Sequence, residues 1–109
     1  MIDWAQIAEL KAEIGADDFT EVVEIFLDEV DEAIAALGNT APGDHLESAL
    51  HFLKGSALNL GFKDFAKLCQ IGELSASRGM ADQVNLSEIR ECYRKSRVAF
   101  LEGLAKNAA

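Results

Sequence analysis

Apolar residues return at intervals of three and four through most of the chain, the spacing of one face of an α-helix. The clearest run lies from about Asp17 to Leu37. There Phe19, Val22, Phe26, Val30, Ala33 and Leu37 form a stripe, and Glu and Asp fill most of the other face. A shorter run from about Asp3 to Ile14 carries Ile7, Leu10 and Ile14, with Asp3 placed to cap it and Gly15 to end it. A third, from about Asp44 to Leu60, carries Leu46, Leu50, Leu53, Ala57 and Leu60, and Gly61 is its stop. A fourth, from about Lys63 to Ser77, has a weaker stripe of Phe65, Leu68, Cys69 and Gly72. Ile71 and Leu74 fall off that stripe and take no role from it. The last begins at Asn85, with Glu88 three residues on as a capping-box partner, and continues through Leu86, Ile89, Tyr93, Ser96 and Phe100.

Between these runs the chain breaks in few places. Gly38 to Gly43, with the one proline at Pro42, reads as an interhelical loop, too short for a domain linker. Arg78 to Val84 reads as a second loop. No repeat or low-complexity segment is visible. The expectation is an all-α fold: a single domain over residues 1–109, an antiparallel four-helix bundle with a short additional N-terminal helix at one end.

Composition supports this and narrows the function. Half of the 109 residues are apolar, and a chain of this length buries roughly two-thirds of its unfolded surface. The formal net charge is −9, which would be repelled by a phosphate backbone or an anionic lipid surface, so neither nucleic acid nor membrane is an expected partner. The N-terminus lacks a basic start followed by an apolar run, and no stretch approaches the ~20 apolar residues of a membrane span. A cytoplasmic location is expected. Cys69 and Cys92 suit neither a disulfide framework nor a zinc site and read as reduced thiols in or near the core.

The chemistry concentrates in His51-Phe52-Leu53-Lys54-Gly55-Ser56 and the following Asn59-Leu60-Gly61. At about 100° per residue, His51 lies about 140° from the centre of the third core stripe. Gly55 falls almost opposite the core one turn later, and Lys54 sits at the flank within i,i+3 reach. An exposed neutral imidazole is a nucleophile that can accept a phosphoryl group. A neighbouring ammonium stabilises the charge on that group. Glycine on an exposed helix face costs about 1 kcal/mol relative to alanine, a cost that close approach of another protein would explain. If the third and fourth helices form a hairpin about Gly61, the level of His51 corresponds to about residues 70 to 73. Gln70 and Glu73 are the polar residues there. Glu73 is then placed to accept the Nδ1 hydrogen, leaving Nε2 as the nucleophile. His45, without Lys or Gly at the same spacing, reads as a surface residue.

The pattern His51-x-x-Lys54-Gly55, with Gly61 six residues on and Cys69 and Glu73 in the next helix, resembles the histidine phosphotransfer (HPt) family. The likeness spans nearly the whole chain, because the family also shows an acidic, Phe-containing helix like residues 21–37. It implies a four-helix bundle in a two-component phosphorelay, phosphorylated on Nε2 of His51, exchanging phosphoryl with aspartates of response-regulator receiver domains or accepting it from an upstream sensor histidine kinase. Lys54 would be the stabilising cation and Gly55 the clearance position. Glu73 would bond the imidazole, with Gln70 a polar position one turn earlier. Gly72 departs from the larger apolar residue usual in the family and puts the packing of the fourth helix in question.

A monomeric carrier, and not an enzyme, is the expectation. No Gly-rich loop exists to hold a nucleotide, and the carboxylates of the second helix form no metal cluster. No cofactor or metal is expected in the chain, and Mg²⁺ would belong to the receiver. Two other readings stand beside this one: a non-catalytic helical-bundle interaction protein in which His51 is incidental, and the phosphotransfer portion of a larger histidine kinase. His51, Lys54 and Gly55 together argue against the first. Met1 and an expected frayed end at Lys106 to Ala109 favour a stand-alone protein over the second.

Overall fold

The computed structural model describes residues 1–37 and 44–108, and within them the protein is helical: α1 (Trp4–Ile14), α2 (Ala16–Ala36), α3 (Asp44–Asn59), α4 (Lys63–Ser77) and α5 (Leu86–Ala108), with a 3₁₀ turn at Ala81–Gln83. The expected loop over Gly38 to Gly43 lies outside the described residues. The capping side chains act at two helix starts. Asp3 Oδ1 accepts the Gln6 N–H at 3.3 Å, and Asn85 Oδ1 accepts the Glu88 N–H at 3.0 Å. Each satisfies a donor that the first helical turn leaves free.

The turn between α3 and α4 shows why Gly61 stands where it does. Its φ is +71°, and a Cβ there would lie 2.6 Å from the Asp3 carbonyl oxygen. The Asp3 N–H donates to the Gly61 carbonyl at 2.7 Å, and Ile2 pairs across to Phe62. The N-terminus is thus fastened to the turn, and glycine is the one residue with both the backbone freedom and the missing side chain that this needs. Trp4 stacks on Phe100 with ring centroids 6.1 Å apart, and its ring occupies the space a side chain at Gly103 would take.

One apolar core runs through all five helices. The α3 stripe is buried at each of its five positions, as is that of α5 from Ile89 to Phe100, including Ser96. Two stripes differ from expectation. In α2 the buried residues are Phe19, Val23, Leu27 and Val30, followed by Leu37 at the cap, whereas Val22, Phe26 and Ala33 are half-buried. Apolar residues come in adjacent pairs here (Val22 and Val23, Phe26 and Leu27), and spacing alone does not say which member faces inward. In α4, Ala66 and Ala76 join Phe65, Cys69 and Gly72 in the core while Leu68 is only half-buried.

Gly72 packs tightly. A Cβ there would meet Leu50 Cδ1 at 2.9 Å and Val84 Cγ1 at 3.3 Å. Side chains from α3, from Val84 ahead of α5 and from Ile89 in its first turns fill the place where a larger residue would project, so glycine permits a close approach. Of the end expected to fray, Lys106 to Ala108 are part of α5, and Ala109 lies outside the described residues.

Candidate functional site

The α3–α4 hairpin builds the site. Leu50, Leu53 and Ala57 turn one face of α3 into the core, and the same helical period turns His51, Ser48 and Gly55 outward. The His51 side chain is 69% exposed. Across the hairpin its Nδ1 lies 2.8 Å from Glu73 Oε2. The other carboxylate oxygen, Oε1, lies 2.8 Å from Lys54 Nζ. One carboxylate therefore bridges the imidazole and the ammonium. Glu73 itself is 19% exposed, and its Oε1 is shielded from solvent with no aligned hydrogen bond, only the ion pair to Lys54.

The electrostatics follow. The Lys54 ammonium beside it and, after that, the hydrogen bond to His51 hold the Glu73 carboxyl below the usual carboxylate range, although burial pushes the other way. Glu73 is an anion at neutral pH. An anion at Nδ1 favours the tautomer with its hydrogen on Nδ1, which leaves the Nε2 lone pair pointing away from the hairpin. Nε2 has no protein partner among the described residues.

The space beyond is open. A Cβ built on Gly55 meets nothing within 4 Å. The imidazole borders a shallow hollow lined also by Glu47, Ser48 and Glu73, and an adjoining one is lined by Lys54, Gln70 and Leu74 among others. Other grooves lie between α4 and the start of α5 and among Lys11, α2 and the end of α5. The hairpin thus offers an outward nucleophile on an open face, an arrangement suited to chemistry completed by a second macromolecule.

Of the residues singled out in the sequence, His51, Lys54, Gly55 and Glu73 come together. Gln70 does not join the ring: it is exposed beside Lys54, and among the described residues it makes no hydrogen bond to His51. Gln70 lies one turn from Glu73, the residue that is bonded to the ring. His45 is exposed. Ile71 and Leu74 are exposed on the outer side of α4, and Phe52 and Leu58 are exposed on α3. Phe52, Leu58 and Glu47 were not singled out, although large apolar residues off the stripe of α3 were a visible signal. Burial pushes the Cys69 thiol up to about 12 and raises that of Cys92 as well, so both are poor nucleophiles. Among the described residues no group of three or more His, Cys, Asp or Glu could hold a metal ion, and no helix is long and apolar enough to cross a membrane.

Residues 21–99 match the Hpt domain family model. The chain belongs to the Hpt domain family. Comparison with curated proteins and with solved structures returned no match. Membership implies histidine phosphotransfer in phosphorelays, with receiver domains and kinases as the kind of partner an Hpt domain meets. In this Hpt domain the matched span holds α3 and α4 entire, so the hairpin with His51, Lys54 and Glu73 lies inside it.

Proposed function

We propose that the protein is a phosphoryl carrier of a two-component phosphorelay, accepting and donating a phosphoryl group at His51 Nε2. The observation that carries this reading is the exposed imidazole bonded to Glu73 through Nδ1, with open space over Gly55 one turn on. In the accepting step, Nε2 attacks the phosphorus of a receiver's aspartyl phosphate. The P–O bond to the aspartate breaks with its electron pair leaving on the carboxylate, and a P–Nε2 bond forms. Nδ1 keeps its hydrogen throughout, held by Glu73, so the step needs no proton transfer. Lys54 stabilises the transferred oxygens, and Gly55 leaves room for the receiver to approach. Mg²⁺ is supplied with the receiver, and the upstream phosphoryl source is a sensor histidine kinase or a receiver it has loaded.

The scaffold for this reading is an antiparallel four-helix bundle, α2 to α5, with α1 across one end. It is supported by His51 meeting Glu73 across the α3–α4 turn, by Phe65 meeting Tyr93 and by Asp31 meeting Arg97. We place the carrier in the cytoplasm as a monomeric single domain, without an ATP site of its own.

The test is transfer from a phosphorylated receiver domain. Wild-type protein should gain an acid-labile, base-stable phosphoryl group, and His51→Gln should gain none while keeping its helical circular dichroism. Phosphoryl on His45, or undiminished labelling of His51→Gln, would overturn the assignment.

A further inference from the structure

The Glu73 carboxylate serves two partners at once. Oε2 meets His51 Nδ1 and Oε1 meets Lys54 Nζ, each at 2.8 Å. The charged side chains bordering His51 come from both helices of the hairpin: Glu47 and Lys54 from α3, Glu73 from α4. Of these, Glu73 alone is bonded to the ring among the described residues. A glutamine in its place would reach as far, and its amide oxygen would also accept the Nδ1 hydrogen. What glutamate adds is a negative charge, and that charge bears on what happens after a phosphoryl group arrives.

Three consequences point the same way. A phosphoryl group leaves Nε2 readily when the ring departs as neutral imidazole, which requires the hydrogen to remain on Nδ1. Without it, the leaving group is imidazolate. A carboxylate holds that hydrogen more firmly than an amide does, because the bond is charge-assisted. Secondly, the phosphoryl oxygens bring about two negative charges to the far edge of the ring, roughly 6 Å from the carboxylate, and like charges at that range repel. Thirdly, the Lys54 ammonium must divide itself between the carboxylate it already pairs with and the phosphoryl oxygens.

The geometry points to Glu73 as a positioning residue that makes His51 a short-lived, donor-biased carrier, poised to pass its phosphoryl group on rather than store it. This rests on the phosphorylation of His51 proposed above. In the donating step the P–Nε2 bond breaks and its electron pair returns to Nε2. An aspartate oxygen of the receiver, or water, forms the new P–O bond. Nδ1–H stays on the ring, which leaves as neutral imidazole bonded to Glu73.

The test loads the full chain with phosphoramidate, whose P–N bond breaks with ammonia leaving, and follows phosphohistidine by phosphorus NMR across neutral and mildly alkaline pH. The phosphohistidine of Glu73→Gln should outlast that of the wild type about tenfold, the size of two charge pairs ~6 Å apart at a wet surface. Its decay should also slow at a lower pH than in the wild type, because the amide holds the Nδ1 hydrogen less firmly. A purely structural role would move neither. A second measurement needs no variant. Nitrogen-detected NMR of the phosphorylated wild type should show Nδ1 keeping its hydrogen to higher pH than in free phosphohistidine.

Equal or shorter lifetime in Glu73→Gln, an unshifted pH profile, or loss of the ring hydrogen at the same pH as in free phosphohistidine each overturns this inference and leaves the carrier assignment standing. A wild type that takes no phosphoryl group at His51 overturns the carrier assignment itself, and this inference with it.

Discussion

Two carboxylates in this protein each tie one helix to two side chains of another, and their surroundings assign them different work. Asp31 on α2 accepts the Tyr93 hydroxyl at 2.6 Å and the Arg97 guanidinium at 3.2 and 3.3 Å, both from α5. Glu73 on α4 meets His51 and Lys54 of α3. At Asp31 neither partner is a nucleophile: the Tyr93 ring is buried against Phe62 and Phe65 with its hydroxyl donating to Asp31, and the Arg97 guanidinium carries donors only. Burial, reinforced by Asp31, drives the Tyr93 hydroxyl above its ordinary value, which keeps it a hydrogen-bond donor. At Glu73 the imidazole keeps one nitrogen open and the ammonium is tied by a single ion pair. The same acid side chain therefore fastens at one place and primes at the other. What distinguishes the two is whether a partner keeps a nucleophilic lone pair facing solvent, which only His51 does.

Substitutions test that contrast. The largest effect after loss of His51 itself is expected at Gly55. Gly55→Gln should preserve or raise the melting temperature, because Gln is a better helix former and a Cβ there meets nothing within 4 Å. It should also slow transfer from a receiver by about 100-fold, since an error of ~1 Å in the approach costs about that much. Equal single-turnover rates for variant and wild type would remove the clearance role.

Asp31→Ala tests the other side of the comparison. It leaves the Tyr93 hydroxyl without its partner, at a cost of about 1–2 kcal/mol, which lowers the melting temperature by several degrees. Transfer to and from His51 should be unchanged. A transfer defect without a stability loss would mean that the α2–α5 tie is coupled to the site.

Lys54→Ala should slow transfer about tenfold, the size of one charge acting on the phosphoryl group at a solvent-exposed site, while helicity is retained. If single-turnover rates do not change, the ammonium serves only Glu73.

The smallest effect is in acid. The Glu73 carboxyl is lowered in the folded protein, by Lys54 first and His51 second. Its contribution to stability is therefore complete above the ordinary carboxylate value and is lost only as the pH falls through the lowered folded one. The carboxyl carbon of Glu73, followed by NMR, should stay ionised through the ordinary carboxylate range. A midpoint at the ordinary value would mean that the shared contact with His51 and Lys54 is weak in solution.

Much of this site was legible from residue order because helical spacing is a local property. Leu50, Leu53 and Ala57 point inward, so His51 and Gly55 between them point outward, and no knowledge of the other helices is needed. The hairpin level of Glu73 was also legible, because a short turn at Gly61 equates residues equally far from it. The course of the fourth helix was less so. Gly72 read as a weakness until Leu50, Val84 and Ile89 were seen to occupy the space beside it. Gln70 shared the same approximate level by count, and a level in a hairpin does not say which of two polar residues leans across to the ring; Glu73 is the one bonded to it.

Residue order alone accounts for the helices, their caps at Asp3 and Asn85, the outward imidazole and its neighbours on α3, since these depend on spacings of three and four and on side-chain chemistry. Tertiary structure alone decided which of Val22 or Val23 faced the core and where Ile71 and Leu74 lay. It alone showed that one carboxylate would serve His51 and Lys54 together, and that Asp31 would find Tyr93 and Arg97 across 62 and 66 residues of chain. The physical reason is that those choices depend on the rotation and separation of neighbouring helices. Both are set by how whole side chains interlock in the core, and no single helix encodes that.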